Sequence, residues 1–385
     1  MARLGDLFLH IRNGANIKQG VDNTGYPITR IETISNRIVD RTKMGYAGIT
    51  DLSKYSDYIL QDGDILMSHI NSETHLGKVA LYKKENDEII IHGMNLLSLR
   101  PNKDFITSKY VFYYLSSQSF LRQIPNITKK SVNQASFTVS ALKELVFPLT
   151  SIEEQKKITA DLDKVNDLIS LRKQQLSKLD ELVKSRFIEM FGDLERTTTI
   201  ARYISELRGG KSLAGTEPCK NKVLKTGAAT FGWFDPEQYK YLPTDYEPLP
   251  EHKVETGDVI ISRMNTPELV GACSYVFEAP DDMYYPDRLW KAVLKENTNP
   301  IFLWQLLWDR DVRKAIKESS GGTSGTMHNI SKPNLLAIKC IDAPIELQNE
   351  YSEFVKQIDK SKLAIHKSLE KLEILKKSLM QKYFG

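Results

Sequence analysis

The chain has 385 residues, more than the ~100–200 of a typical single domain, so two or more hydrophobic cores are expected. A hydrophobic content of 41% is ordinary for a folded protein, and a net charge of +4 permits a nucleic-acid partner without requiring one. The longest strongly apolar run, IFLWQLLW at 301–308, is too short for a membrane span, and no secretory signal is expected at the N-terminus. Three scattered cysteines form no disulfide framework, so we expect a cytoplasmic protein.

Residues 1–150 predict a mixed α+β domain. Short β-rich runs are bounded by Gly, Asn and Asp turns, and the clearest are GDILMSHI (63–70), GKVALYKK (77–84) and EIIIHGMNLLSL (88–99). One amphipathic helix is predicted over SKYVFYYLSSQSFLRQI (108–124).

A long helix is predicted from Ser151 to Phe191, a stretch that contains neither proline nor glycine. Its apolar residues, beginning with Ile158, Leu162 and Val165, recur in alternating steps of four and three, which is the spacing of a coiled-coil seam. Ser151 and Glu154 have the spacing of a capping box at its start. At ~1.5 Å per residue the helix is ~60 Å long.

The second half of the chain repeats this order. DGDILMSHINSETHLGK (62–78) parallels TGDVIISRMNTPELVGA (256–272), a further β-rich run is GACSYVFEA (271–279), and an amphipathic helix is predicted over IFLWQLLWDRDVRKAI (301–316). A second long helix is predicted from Ile345 to Phe384. When Gln155 is aligned with Gln348, Phe191 falls on Phe384 without a gap. The chain therefore divides into 1–150, a long helix in 151–195, 196–343, and a long helix in 344–385.

The two long helices are predicted to pair with each other in antiparallel fashion, which would make the molecule pseudo-two-fold symmetric. A parallel coiled coil between two copies of the chain is the alternative. Both helices carry mixed charges, whereas a helix that binds DNA phosphates would carry one sign. We expect them to act as spacers and protein-docking surfaces.

No set of residues with the pattern of a catalytic centre stands out. His69 and His75 are close in sequence, but no third metal ligand accompanies them, so a surface-loop role is favoured. Both mixed segments instead contain loops that combine basic, amide, hydroxyl and aromatic side chains, which are the groups that contact phosphates and base edges. The sequence therefore favours a recognition or assembly component.

The order and combination of these motifs resemble the specificity subunits of type I restriction–modification systems. The resemblance is carried by the two matching segments 62–78 and 256–272 and by VFPLTSIEEQKKI at the first domain–helix junction. The helix ends KLDELVKSRFIEMFGD and KLEILKKSLMQKYFG carry it as well. The second copy departs from the pattern where SGGTSGTMHNIS replaces KKSVNQASFTVS. The resemblance implies an α+β fold with two tandem target-recognition domains, joined and spaced by the helices. Each domain would read one half of a bipartite, asymmetric DNA site.

The resemblance also implies the partners. Double-stranded DNA and two methyltransferase subunits would bind this chain, and motor-nuclease subunits would join them for cleavage. S-adenosylmethionine and ATP are expected on those partner subunits. The chain itself would be non-catalytic and would hold no cofactor or metal.

Twelve residues are candidates for DNA contact because they combine a loop position with suitable side-chain chemistry. In the first domain they are Lys18, His69, Asn71, Lys129, Lys130 and Gln134, and in the second they are Arg208, Lys211, Trp233, Arg263, Asn265 and His328. Two other functions stay open. One is a coiled-coil scaffold whose globular domains bind proteins rather than DNA, and the other is an enzyme with an unrecognised active site.

Overall fold

The computed structural model describes residues 2–17, 24–35, 37–131, 134–324 and 327–385. The chain forms two compact units, of which unit 1 holds Met1–Lys173 with Lys367–Gly385 and unit 2 holds Gln174–His366. Each unit therefore contains part of each long helix. The predicted domain boundaries near residues 150, 195 and 343 follow the helix ends instead, and they stay a prediction.

The described residues of unit 1 form nine short strands. They are β1 (Ala2–Arg3), β2 (Phe8–Asn13), β3 (Ile65–Ser68), β4 (Ile70–Asn71), β5 (Val79–Leu81), β6 (Leu96–Pro101), β7 (Lys129–Lys130), β8 (Ala135–Ser136) and β9 (Val146–Phe147). A four-stranded antiparallel sheet has the order β2-β6-β3-β5, a three-stranded sheet has the order β4-β8-β7, and β1 pairs with β9. The two larger sheets are linked directly, because β4 follows β3 after one residue.

The predicted strand over 88–99 is only partly correct. Its second part forms β6, whereas Ile91 makes isolated bridges to Ile28 and Ile59. Asn95 separates the two parts in a left-handed conformation with φ 78°, which a continuous strand does not allow.

Five α-helices begin in the described residues of unit 1. They are α1 (Ser108–Leu115), α2 (Gln118–Leu121), α3 (Ile124–Ile127), α4 (Val139–Lys143) and α5 (Ile152–Phe191). The single helix predicted over 108–124 is thus wrong in extent. Ser117 has an extended backbone, and its hydroxyl accepts a hydrogen bond from the Phe120 N–H, so it caps a new helix instead of continuing the old one.

The core of unit 1 lies between the four-stranded sheet and the helices. Strand residues such as Ile65 and Leu99 are fully buried against Tyr110 and Phe120 in one cluster. The same cluster includes Ile158 and Leu162 of α5, so the long helix is part of this core from its first turns.

Unit 2 repeats the plan with twelve strands in its described residues. They are β10 (Thr198–Thr199), β11 (Ile204–Gly209), β12 (Lys222–Leu224), β13 (Tyr239–Tyr241), β14 (Val259–Ser262), β15 (Met264–Asn265), β16 (Cys273–Tyr275), β17 (Met283–Tyr284), β18 (Leu289–Leu294), β19 (Gly321–Ser324), β20 (Met327–Asn329) and β21 (Lys339–Cys340). The sheets β11-β18-β14-β16, β15-β20-β19 and β10-β21 correspond to the three of unit 1, and β13-β12-β17 is additional.

The helices that begin in unit 2 are α6 (Pro300–Trp308), α7 (Arg310–Glu318), α8 (Lys332–Leu336) and α9 (Ile345–Phe384). The helix predicted over 301–316 is therefore interrupted, as its counterpart in unit 1 is. The carboxylate of Asp309 accepts hydrogen bonds from the N–H groups of Asp311 and Val312 and caps α7.

The two predicted long helices are confirmed as α5 and α9. In unit 2, Arg186 forms an ion pair with Glu350 at 2.9 Å and the Tyr351 hydroxyl donates to the Val183 carbonyl at 3.2 Å, while Lys362 pairs with Asp180. The residue numbers rise on α9 as they fall on α5, so these segments run antiparallel.

In unit 1 the end of α9 lies against the beginning of α5. The Tyr383 hydroxyl donates to an Asp161 carboxylate oxygen at 2.6 Å, and Phe384 joins the core cluster that contains Ile158 and Leu162. The pairing therefore occurs within one chain. Among the described residues, no helix is both long enough and apolar enough to cross a membrane.

Candidate nucleic-acid interface

The three-stranded sheet of unit 1 brings four of the candidate residues together. Asn71 on β4 and Lys130 on β7 both stand opposite Ala135 of β8 in the register. Lys129 directly precedes Lys130, and Gln134 directly precedes Ala135. Lys129, Lys130 and Gln134 are exposed, and Asn71 is half-buried. We call Asn71, Lys129, Lys130 and Gln134 polar face 1.

Internal contacts orient polar face 1. Lys130 Nζ lies 2.5 Å from a Glu73 carboxylate oxygen in the turn that follows β4. Asn71 Oδ1 accepts a hydrogen bond from the Ser72 N–H at 2.8 Å and so fixes the start of the same turn. Glu73 was not among the residues selected from sequence. A lone glutamate in a polar loop has no distinguishing pattern there, since its role depends on a lysine 57 residues away.

His69 and Lys18, the other two candidates of the first domain, are not part of polar face 1. His69 is only 4% exposed, and its ring lies edge-on to Phe137. Burial lowers the pKa of His69 to about 4, so the ring is neutral, and its Nδ1 has no hydrogen-bond partner within the described ranges. Its side chain therefore belongs to the protein interior and not to an exposed binding surface. Lys18 lies outside the described residues.

Unit 2 gathers three candidates at its own three-stranded sheet, two on its strands and Arg263 directly before β15. Asn265 of β15 stands opposite His328 of β20, and Arg263 Nε donates to the Asn329 side-chain oxygen at 3.3 Å. His328 Nδ1 lies 3.0 Å from the Ser320 hydroxyl. We call Arg263, Asn265 and His328 polar face 2, and all three are half-buried.

The amides of Asn71 and Asn265 have the same local role. Asn265 Oδ1 accepts from the Thr266 N–H at 2.9 Å, as Asn71 Oδ1 accepts from the Ser72 N–H. Asn265 Nδ2 donates in addition to the Thr230 hydroxyl at 3.3 Å, which connects polar face 2 to the loop that carries Trp233. Trp233 is 55% exposed.

Arg208 and Lys211 are placed differently from the other candidates of the second domain. Arg208 is on β11 of the four-stranded sheet, where it pairs with Glu206 at 2.7 Å. Lys211 is exposed, and its Nζ lies 5.8 Å from the centre of the Tyr246 ring. The structure therefore places these two cations on a different sheet or loop from polar face 2.

The repeated Gly-Asp pair is structural in both units. Asp64 is buried and accepts two hydrogen bonds from the Arg100 guanidinium at 2.8 and 2.7 Å. Asp258 accepts from Lys291 Nζ at 2.8 Å in the same position before the strand. A buried carboxylate needs such a cationic partner. Both aspartates of the repeat therefore stabilise the fold and are not available on the surface for binding.

No metal site is evident, because within the described ranges there is no group of three or more His, Cys, Asp or Glu side chains that could hold an ion. The arrangement instead has the features of a binding surface. Each unit presents a small sheet with cationic and amide groups beside an ordered turn, and His328 adds an imidazole in unit 2 alone, so the two sheets differ in their side chains.

The fold and polar faces 1 and 2 together define a class of protein: an α+β protein with two similar units and two long helices. The sequence model of the family described as type I restriction modification DNA specificity domain matches residues 1–181. A chain of Methanocaldococcus jannaschii, assigned to the type I restriction enzyme MjaX as its specificity subunit, is 33% identical over 399 aligned positions that cover 98% of this chain and 90% of the relative.

Solved structures show the same fold. The specificity subunit of a type I restriction–modification system from M. genitalium matches with a TM-score of 0.58 at 15% identity, covering 100% of this chain and 95% of the other. A chain from a study of complex assembly and conformational transition of the type I restriction–modification system matches with a TM-score of 0.53 at 16% identity, covering 100% and 96%. The chain belongs to the family of type I restriction–modification specificity subunits. The predicted class, a specificity subunit rather than an enzyme, is confirmed.

Proposed function

We propose that this chain is the sequence-specific DNA-recognition subunit of a type I restriction–modification complex. Polar faces 1 and 2 each read one half of a bipartite site. The observation that carries the proposal is that the same small sheet recurs in both units with different polar side chains. Because the two faces differ, the target is asymmetric rather than palindromic.

The test is to sequence adenine methylation in a host that expresses the chain with its methyltransferase subunits. A split, asymmetric motif is expected. Arg263→Ala should weaken binding by about 1–3 kcal/mol and relax one position of a single half-site. Arg310→Ala, which removes an exposed arginine on α7, is the matched control. Unchanged affinity and unchanged motif in Arg263→Ala would remove this residue from the interface. The absence of any sequence-dependent DNA binding would instead favour a protein-binding scaffold.

The paired helices set the distance between the half-sites. In this proposal the two units are tandem target-recognition domains related by pseudo-two-fold symmetry, with α5 and α9 as an antiparallel coiled-coil spacer. Support comes from the coiled-coil seam. Four positions in the apolar spacing of the two helices are occupied by charged residues, and all four are half-buried: Arg172, Arg186, Lys362 and Lys376. Inserting one helical turn into each helix adds ~5.4 Å and should lengthen the DNA spacer by one or two base pairs. Insertions that leave the spacer unchanged would rule out this role.

The partners follow from the same proposal. Two methyltransferase subunits dock on the chain, largely through the helices, motor-nuclease subunits join for cleavage, and S-adenosylmethionine and ATP are bound by those subunits alone. Such a complex works in the cytoplasm, where its DNA is. Calorimetry of the purified chain with S-adenosylmethionine should show no binding, and purification from the co-expressing host should recover two methyltransferase subunits per chain. Binding of S-adenosylmethionine by the isolated chain would contradict the proposal.

A further inference from the structure

Residues 226–235 form a braced loop between β12 and β13, here called the aromatic loop. It begins with a 3-10 turn at Thr226–Ala229, and the Asp235 N–H donates to the Ala228 carbonyl at 3.0 Å, which closes the loop. The Thr230 hydroxyl donates to the Thr226 carbonyl at 2.9 Å. Gly232 has a φ of 81°, which favours glycine, and it lies beside the Trp308 ring.

Two large aromatic side chains at the tip of this loop are exposed. Phe231 is 71% and Trp233 is 55% exposed, whereas the next residue, Phe234, packs against a buried cluster that includes Leu224 and Val254. Two exposed aromatic rings on a braced loop contribute little to folding, and such groups mark binding surfaces. From sequence, Trp233 is selected but Phe231 is not, because the run TFGWF (230–234) does not reveal which of its three rings turns inward.

The position of the aromatic loop favours DNA over a protein partner. Asn265 Nδ2 donates to the Thr230 hydroxyl, so the residue next to Phe231 is bonded to polar face 2. Polar face 2 also includes Arg263, and Ser320 lies beside its His328. A base-reading surface in the major groove needs an apolar group as well as polar ones, because the C5 methyl group of thymine can be recognised only by apolar contact.

We propose that Phe231 and Trp233 contact the C5 methyl groups of thymines in the half-site that unit 2 reads, and so determine part of its sequence. This inference rests on the proposed function and adds a class of base contact to it. Polar face 2 supplies hydrogen bonds to base edges, and the aromatic loop supplies the discrimination between thymine and cytosine, which differ at C5 by this methyl group.

The test is a cycle that changes the protein and the DNA separately. The assembled methyltransferase complex is prepared with wild-type, Phe231→Ala, Trp233→Ala or Phe105→Ala chains, the last being a matched control that truncates an exposed phenylalanine of unit 1. Affinity is measured for duplexes that carry thymine or uracil at each position of the second half-site. Because uracil lacks only the methyl group, this substitution alters no hydrogen bond.

With wild-type chain, uracil at the contacted position should weaken binding about fourfold, which corresponds to one buried methyl group. Phe231→Ala or Trp233→Ala should weaken binding to the thymine duplex at least tenfold. Replacing thymine by uracil should then cause no further loss of affinity in these variants. Phe105→Ala should behave like wild type. Thermal unfolding of all chains should coincide within a few degrees, since each ring that is removed is exposed.

Other outcomes separate the possible explanations. The inference is overturned if Phe231→Ala and Trp233→Ala lose the same binding affinity on thymine and uracil duplexes. It is also overturned if the half-site read by unit 2 contains no thymine beyond the methylated base pair. In both cases the proposed function stands. Failure of the aromatic variants to assemble with the methyltransferase subunits assigns the loop to a protein interface and also overturns it. If the wild-type complex shows no sequence preference, the proposed function itself fails.

Discussion

Gln155 and Gln348, 193 residues apart, bury the same side-chain amide in the first turn of the two long helices and make equivalent hydrogen bonds. In each case Nε2 donates to two backbone carbonyls and Oε1 accepts from one backbone N–H. For Gln155 these partners are Phe105, Thr150 and Thr107, and for Gln348 they are Asn297, Ala343 and Asn299. The amide thereby ties each helix start to the loop that precedes the first helix of its domain.

Replacing either glutamine should destabilise its own unit. Gln155→Leu leaves two carbonyls and one N–H buried without partners, and we expect a loss of about 2–4 kcal/mol. Hydrogen exchange should rise in peptides of unit 1 for Gln155→Leu and in those of unit 2 for Gln348→Leu. Gln357→Leu, at an exposed position of α9, is the control. Equal exchange in the three variants would show that the amide bonds have no structural role.

Phe384 of α9 should be essential for the stability of unit 1. It is 5% exposed, and its ring lies 5.4 Å from that of Tyr110 and 5.9 Å from that of Tyr114. Phe384→Ala removes a ring from this core and should cost about 3–5 kcal/mol, measured by urea unfolding. Ile374→Ala, on an exposed part of the same helix, should cost less than 1 kcal/mol. Similar costs for both would mean that α9 does not complete the core of unit 1.

The stability of unit 1 should fall with acidification because of His69. Its folded-state pKa of about 4 lies below the ordinary value of 6.5, so protonation favours the unfolded state. The contribution is fully present above pH 6.5 and is lost as the pH falls from 6.5 towards 4, by about 1–2 kcal/mol at pH 5. Unfolding free energies at pH 7 and pH 5 should therefore differ less for His69→Leu than for wild type. His75→Leu, at an exposed position, should retain the wild-type difference. A normal pKa for His69 in an NMR titration would refute the assignment.

Lys129 should act through phosphate rather than through base recognition, because it is exposed on β7 and has no side-chain geometry that selects a base. Lys129→Ala should weaken binding to all sequences alike and reduce the slope of log K against log salt concentration by about 0.9. Lys103→Ala, an exposed lysine outside polar face 1, provides the comparison. A changed methylation motif with an unchanged salt slope would instead identify Lys129 as a base-reading residue.

Local patterns predicted much of this structure correctly. The long helices, their seam and the polar loops are encoded by residues that lie within a few positions of one another. The helix breaks at Ser117 and Asp309 were missed, because an apolar periodicity was followed through two residues whose side chains cap a new helix more favourably than they continue the old one.

The sequence by itself determined that the chain is duplicated, that each copy ends in a long helix with a coiled-coil seam, and which loops are polar. It could do so because periodicity and composition are local properties. The tertiary structure decided that His69 is buried while Lys129 is exposed, that Arg208 lies on a different sheet from Asn265, and that Phe231 turns outward. Whether a loop residue is covered depends on which distant strands and rings pack against it, and one chain read alone does not encode that packing in any local pattern.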